Sequence, residues 1–531
     1  MKEISYQRIV YIVSLFIMLF GNGAFVSNVL SAYPFAWANY VYLASLFTLF
    51  TLVLVIVLLL SCYKKTTKIV LIALLVSSSL AAYFMDNFHV VIDSDMIDNA
   101  LNTNSEEAFD LINTELFGYL ILLGILPSYW LYKTPIVYPE SLQAAFFSRL
   151  KRIAFLLLLS ALVIFCFSKF YFSFWRDHKA LRYYSNPHYT IYSLAKYLGK
   201  SAQTDAAQFK IIGLDATVAA SDGPRKLVIF VVGEAARADH FSLNGYGKET
   251  NRYLRHEQVV SFQNVWSCGT STAISVPCLF SVYKRTEFDK QKAETTENVL
   301  DVLNHAGVNV IWLDNNSDSK GVAKRISYES YKHQDHNPVC NDECRDEGML
   351  ANLQKYIDSK SQGDIFIVLH QMGNHGPAYY RRYPKDFERF TPACKSNQLE
   401  ECRKEEIGNA YDNAIAYTDY FLSKTIELLK QNSARYETGM IYVSDHGESL
   451  GENNIYLHGM PYVFAPESQK RVPLILWFNE QFYKNKIDLT ALKNNITREF
   501  SHDNIFHSIL GLMDIKTSIY DQRMDIFKYK H

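Results

Sequence analysis

"KLVIFVVG", residues 226–233, is a β-branched and aromatic run that stops on glycine and is followed at once by Glu234. A short apolar run without polar alternation reads as a strand buried on both faces. Four runs of the same type follow: "VNVIWLD" (308–314), "DIFIVLH" (364–370), "GMIYVSD" (439–445) and "RVPLILWF" (471–478). Between them lie stretches with apolar residues at helical spacing, such as "NAYDNAIAYTDYFLSKTIELLKQN" (409–432). This alternation predicts an α/β domain with a largely parallel, helix-covered sheet, entered at Gly223-Pro224. In such sheets the functional site forms beyond the carboxyl ends of the strands.

Those ends carry metal-capable side chains. The first run leads into Glu234, and the second into Asp314-Asn315-Asn316 with Lys320 close behind. The third leads into His370 and then His375, the fourth into Asp445-His446-Gly447. Singly, a carboxylate at a strand end caps the next helix and a D-H pair is a polar turn. Together, Glu234, Asp445 and His446 make a suitable set for Zn²⁺ with one position open.

The chain ahead of this domain is of another kind. Four long apolar runs, Ile9–Leu30, Tyr40–Ser61, Ile69–Met85 and Ile153–Tyr171, and a shorter fifth, Leu116–Leu131, are each near the ~20 residues that cross a bilayer. Lys2 and Arg8, Lys64, Lys65 and Lys68, and Lys133, Arg149, Lys151 and Arg152 fall on one side of these spans. The alternate loops, 31–39 and 86–115, contain no Lys or Arg. The positive-inside rule therefore starts the chain inside and, after five spans, leaves the α/β domain outside. The organisation expected is a transmembrane domain over 1–175, an interfacial connector over 176–222 and an exported catalytic domain over 223–531. With 53 Lys+Arg against 54 Asp+Glu in 531 residues, no basic surface suggests nucleic acid.

Cysteine usage points the same way. Cys62 and Cys166 lie in spans, and the other six of the eight form three close pairs in the exported part. An even count in an oxidising compartment reads as disulfides, and the absence of any C-x-x-C pair argues against a zinc knuckle. One pair fences "SCGTSTAISVPC" (267–278), a run of hydroxyl residues. A threonine there needs activation, which a bound metal supplies; Ser271 and Ser275 also read as caps of a helix starting near Ser275.

The stretches "VVGEAARADHFSLNGYGKET", "SCGTSTAISVPCLFS", "DNNSDSKGV", "HQMGNHGPAYYRRYP" and "SDHGESLGENNIYLHGMPY" resemble the lipid A phosphoethanolamine transferases, which include the mobile colistin-resistance enzymes. The likeness runs over essentially the whole chain. It implies an alkaline-phosphatase/sulfatase-like exported domain behind five transmembrane helices. It implies Thr272 as nucleophile and Glu234, Thr272, Asp445 and His446 as ligands of Zn²⁺. Asn316, Lys320, His375 and His458 match positions that hold the phosphoethanolamine or a second zinc ion. Asn99, Thr103 and Glu107, spaced by four as on one helix face, match positions that bind the donor lipid. The disulfides implied are Cys268–Cys278, Cys340–Cys344 and Cys394–Cys402.

The activity implied is transfer of phosphoethanolamine from phosphatidylethanolamine to a lipid A phosphate through a covalent phosphoethanolamine-threonine. A monomer in the bacterial inner membrane, with its catalytic domain in the periplasm, would thereby lower surface negative charge and confer polymyxin resistance. Transfer to core sugars and a phosphoglycerol transferase are the alternatives within the fold. A cysteine-converting sulfatase is disfavoured, because Cys278 is followed by Leu-Phe-Ser-Val rather than x-P-S-R. A transporter is disfavoured by spans almost free of ionisable residues.

Overall fold

The computed structural model describes residues 3–34, 37–102, 111–204, 208–220, 223–341 and 343–530. The chain divides into two compact units, residues 1–97 with 112–197, and residues 98–111 with 198–531.

In the first unit all five apolar runs are helical, but they differ in build. Tyr40–Ser61, Thr67–Phe88 and Thr114–Lys133 are continuous helices of 22, 22 and 20 residues, apolar enough to cross a bilayer. The first run is instead a pair, Tyr6–Phe20 and Gly23–Ala32, bent by 60°. The bend falls where Asn22 turns its amide to the carbonyls of Ile17 (3.0 Å) and Asn186 (2.7 Å), taking the place of a continuing helix. The run Ile153–Tyr171 is split at Phe167, between the helices Leu142–Cys166 and Ser168–Asp177. The first of these carries Arg149, Lys151 and Arg152, which shorten its apolar part. Arg149 donates to the Cys62 carbonyl at 2.6 Å and lies 4.0 Å from the Tyr63 ring centroid. Among the described residues three helices, or four if the bent pair is one span, have the length and composition of a crossing.

The second unit is built on an eight-stranded sheet. In chain order its strands are β1 (Arg225–Gly233), β2 (Val260–Trp266), β3 (Asn309–Asp314), β4 (Ser327–Ser330), β5 (Ile365–His370), β6 (Tyr436–Ser444), β7 (Arg471–Phe478) and β8 (Phe500–Ser501). They lie in the order β8-β2-β7-β6-β1-β5-β3-β4. From β6 to β4 every pairing is parallel. The sheet is largely parallel, as expected, and the exception is β7, which runs antiparallel to both β6 and β2. A continuous apolar run reports burial on both faces and carries no information on direction, which explains the difference.

Strand β1 shows why the sheet holds. Val228, Phe230 and Val232 join one apolar cluster, while Leu227, Ile229 and Val231 join the cluster on the opposite face. The long helix Lys404–Asn432 covers the second face, contributing Ile407, Tyr411, Ile415 and Phe421. Disulfides join Cys268 to Cys278, Cys340 to Cys344 and Cys394 to Cys402.

Phe230 is fully buried, with its ring centroid 5.3 Å from that of Phe280. Phe230→Ala is expected to destabilise the second unit by about 3–5 kcal/mol through lost transfer energy and a cavity. Chemical denaturation of the detergent-purified protein checks this, and an unmoved midpoint would contradict the packing described.

Candidate active site

Glu234 follows β1 and Asp445 follows β6. The two strands pair in parallel with Gly233 opposite Ser444, so the carboxylates leave the sheet side by side. Glu234, Asp445 and His446 are fully buried, and their ligand atoms lie within 4.8 Å of one another. His446 Nε2 stands 3.3 Å from Glu234 Oε1 and 3.4 Å from Asp445 Oδ2.

The outer atoms of the trio are fixed by neighbours. Asp445 Oδ1 accepts from the backbone N–H groups of Ala235 (3.2 Å) and His446 (2.7 Å). Glu234 Oε2 accepts from Asn316 Nδ2 at 2.8 Å. His446 Nδ1 donates to the Gly447 carbonyl at 2.8 Å, which turns Nε2 toward the carboxylates. Position 447 tolerates nothing but glycine, since a Cβ there would stand 2.0 Å from Ser468 O.

Electrostatics set the character of the trio. Burial opposes charge on His446, yet Asp445 and Glu234 outweigh it and lift the imidazole to about 10. Burial first, then Glu234, pushes Asp445 up to about 6. Glu234, against the same burial, is held below the carboxylate range by His446. Glu234 Oε1 and Asp445 Oδ2 are buried and accept no hydrogen bond. Two such oxygens facing one imidazole nitrogen form a donor set that fits a divalent cation of the zinc type.

Thr272 meets this trio. Its Oγ1 donates to Glu234 Oε2 at 3.1 Å and lies 3.3 Å from His446 Nε2. The helix starts at Thr272, not near Ser275, and runs to Leu279. Ser271 precedes it in extended conformation without a capping bond from its side chain. Ser275 sits inside the helix, donating to the Asp445 carbonyl. Thr272 therefore stands at a helix amino terminus, where free N–H groups and the dipole favour a phosphate.

The loop that presents Thr272 is tied at several points besides its disulfide. Thr270 Oγ1 donates to Met460 O at 2.6 Å, and Gly459 N donates to Thr270 O at 2.7 Å. His502, absent from the sequence reading, joins three elements. Its Nδ1 accepts from Cys268 N at 3.1 Å and lies 3.3 Å from Ser275 Oγ, while Nε2 donates to Ser444 O at 3.0 Å. Burial pushes this imidazole down to about 3, keeping it neutral as these bonds require. No motif marks a lone histidine after a two-residue strand.

The remaining expected residues divide. His458 joins the centre, its ring 4.3 Å from that of His446 and 5.5 Å from that of His375. His458 Nδ1 is 2.7 Å from Glu448 Oε2, and Tyr379 OH donates to Glu448 Oε1 at 2.6 Å. His446, Glu448 and His458 form a second buried group of ligand atoms. Glu448 stands in the "SDHGESLG" stretch but had no role in the sequence reading. Lys320 keeps to its own loop, with Nζ on Ser317 O at 2.9 Å. Asn99 lies on the helix Ser94–Asn102, whereas Thr103 and Glu107 lie outside the described residues. Next to Asn99, Asp98 pairs with Lys290.

A buried carboxylate-imidazole centre at the carboxyl edge of this sheet, carried behind apolar helices, defines a membrane protein with a domain of the alkaline-phosphatase and sulfatase class. A sulfatase family model matches residues 226–515, and the model "Phosphoethanolamine transferase EptA/EptB" matches residues 50–202. The chain belongs to the phosphoethanolamine transferase family. It is 41% identical over 517 residues to phosphatidylethanolamine transferase Mcr-2 of Escherichia coli, covering 95% of this chain and 94% of that one. Phosphoethanolamine transferase EptA of E. coli K12 is 37% identical, covering 96% and 94%. The integral membrane lipooligosaccharide phosphoethanolamine transferase A of Neisseria meningitidis superposes with a TM-score of 0.95 at 32% identity, over 99% of both chains.

His502→Ala is expected to cut turnover by about 100-fold, the cost of displacing a reacting group by roughly an ångström. His502→Gln, which can still donate to Ser444 O, should recover part of it. Equal turnover of wild type and His502→Ala would show that the Thr272 loop does not depend on this residue.

Proposed function

We propose that the chain moves phosphoethanolamine from phosphatidylethanolamine to a phosphate of lipid A through a covalent phosphoethanolamine-Thr272. The observation that carries this reading is the Thr272 hydroxyl, held 3.1 Å from Glu234 and 3.3 Å from His446 at a helix amino terminus. Glu234, Asp445, His446 and Thr272 would hold Zn²⁺, which when bound makes the threonine oxygen a better nucleophile and offsets phosphoryl charge.

Thr272 Oγ1 attacks the donor phosphorus, and the bond from phosphorus to the diacylglycerol oxygen breaks. The first helical N–H groups are aimed where the equatorial oxygens gather charge. His458, held neutral by burial and with Nδ1 donating to Glu448, is suited to take at Nε2 the proton that Thr272 loses and to pass it to the departing diacylglycerol oxygen. In the second step the same imidazole accepts the proton of the lipid A phosphate as it attacks phosphorus, and returns it to Thr272 Oγ1 as the bond from phosphorus to that oxygen breaks. His375 and Asn316 border the same space, and Lys320 lies on the loop of Asn316. Asn99, Thr103 and Glu107 would receive the donor headgroup. The basic residues confined to alternate loops support a periplasmic second unit in the bacterial inner membrane. Capping a lipid A phosphate with an ammonium group lowers surface negative charge, the physical basis of polymyxin resistance.

Thr272→Ala is expected to abolish modification of lipid A, read by mass spectrometry of the lipid, while zinc per chain stays near wild type. Modified lipid A at wild-type level would end the nucleophile assignment; modification of core sugars instead would redirect the acceptor. Asp445→Asn and Glu234→Gln should each lower zinc affinity by at least about 10–100-fold, the cost of losing merely a ligand's hydrogen-bonding partner. Zinc retained in both variants would remove the trio as the metal centre.

A further inference from the structure

We propose that the first unit carries a phospholipid-holding slot in which Arg182 pairs with the lipid phosphate and His188 accepts a hydrogen bond from the headgroup. The slot is an open-sided cavity of about 240 Å³, a little under the range of about 300–1,000 Å³ usual for whole small-molecule sites, so it takes a headgroup and the start of a chain rather than a whole lipid. One wall is Leu49, Phe50 and Val53 of the helix Tyr40–Ser61. The other is aromatic, from Trp175, Tyr189 and Tyr192 of the segment that follows the last apolar run. Trp175 and Tyr192 are also 40% and 59% exposed, the behaviour of side chains that border lipid headgroups.

Three polar side chains interrupt this wall: Ser185, whose Oγ donates to the Arg182 carbonyl, Arg182, which lies against aromatic rings without a counter-charge among the described residues, and His188, one ring nitrogen of which is unpaired. Arg182 is half-buried, with Nη2 3.4 Å from Tyr183 OH and its guanidinium 5.9 Å from the Trp175 ring. No carboxylate among the described residues forms an ion pair with it. A guanidinium keeps its charge in any surroundings, so an apolar wall leaves it in want of an anion. His188 Nε2 is 2.8 Å from the Phe50 carbonyl. A carbonyl only accepts, so Nε2 holds the proton and Nδ1 keeps its lone pair. That Nδ1 is buried and has no partner.

The slot thus presents a cation, a hydrogen-bond acceptor and an apolar trough. An anion, a donor and an acyl chain on one molecule complete it, and a glycerophospholipid supplies all three. Inorganic phosphate leaves the trough empty, and a fatty acid leaves His188 without a donor. The ammonium of an ethanolamine lipid and the hydroxyls of a glycerol lipid both serve His188. A choline lipid, whose nitrogen has no hydrogen, does not. The slot is independent of the Thr272 chemistry and stands or falls apart from it.

The test uses the full-length protein purified in non-ionic detergent, with retained phospholipid per chain measured by mass spectrometry. Arg182→Gln and Val53→Trp attack the slot from its charged and apolar sides, and a melting curve confirms that each variant is folded. Each is expected to retain about tenfold less lipid than wild type, Arg182→Gln through one lost charge-assisted hydrogen bond and Val53→Trp by filling the trough. Delipidated wild type is then reloaded from micelles of phosphatidylethanolamine, phosphatidylglycerol or phosphatidylcholine. Uptake of either of the first two, with choline lipid about tenfold weaker, supports the slot and identifies which source fills it. Wild-type retention in either folded variant, or choline lipid bound as well as the others, overturns it.

Discussion

Glu234 and Asp445 are two carboxylates sealed from solvent at the ends of neighbouring strands. Their ligand atoms lie within 4.8 Å of each other, so at an effective dielectric near 20 two such charges repel by at least about 3 kcal/mol. Much of the second unit is arranged to make that repulsion tolerable. His446 supplies positive charge between them, backbone N–H groups hold Asp445 Oδ1, and Asn316 holds Glu234 Oε2. One oxygen of each carboxylate is still left without a hydrogen bond, and that residue of unmet demand is what a divalent cation would satisfy.

The parallel register is what creates the demand. With Gly233 opposite Ser444, strands that end together deliver Glu234 and Asp445 to the same spot although 211 positions separate them. An antiparallel pair would have put these ends at opposite edges. On the other side of β1, strand β5 brings the loop of Gln371, whose carbonyl accepts from Asn316 Nδ2 at 2.6 Å. Fully buried Asp346 accepts from the backbone N–H groups of Met372 (2.8 Å) and Gly373 (3.1 Å), fixing that loop.

This edge was legible in the sequence because long apolar runs mark both-faces burial and the residue after each run is visible. Other features were not legible, for identifiable reasons. β4 is exposed and polar, β8 has two residues, and β7 reads alike in either direction. The start of the helix at Thr272 is masked by "TSTAISVP", where hydroxyl and β-branched residues favour a cap or a strand and Pro277 lies within the helix. His502 acts through ring nitrogens that touch backbone and one serine, a role that tertiary structure alone defines. In the first unit the apolar runs were plain, but the bend at Gly21-Asn22 depends on a partner, Asn186, far along the chain.

The bonds around Thr272 also bear on the proposed transfer, in which one centre would serve two lipids in turn. The disulfide, His502 and the 459–460 turn fix the loop before the helix, and Ser275 fixes the helix to the Asp445 carbonyl. Thr272 and the carboxylates that flank it are thus parts of one cross-linked body. Under the proposed transfer, donor and acceptor would present their phosphorus and oxygen to a stationary threonine, and the adjustable partners in both steps would be the lipids. Rigidity at the centre places the burden of recognition on groups outside it, which is why carboxylates, imidazoles and amides crowd this edge while the threonine itself makes only two contacts with the trio.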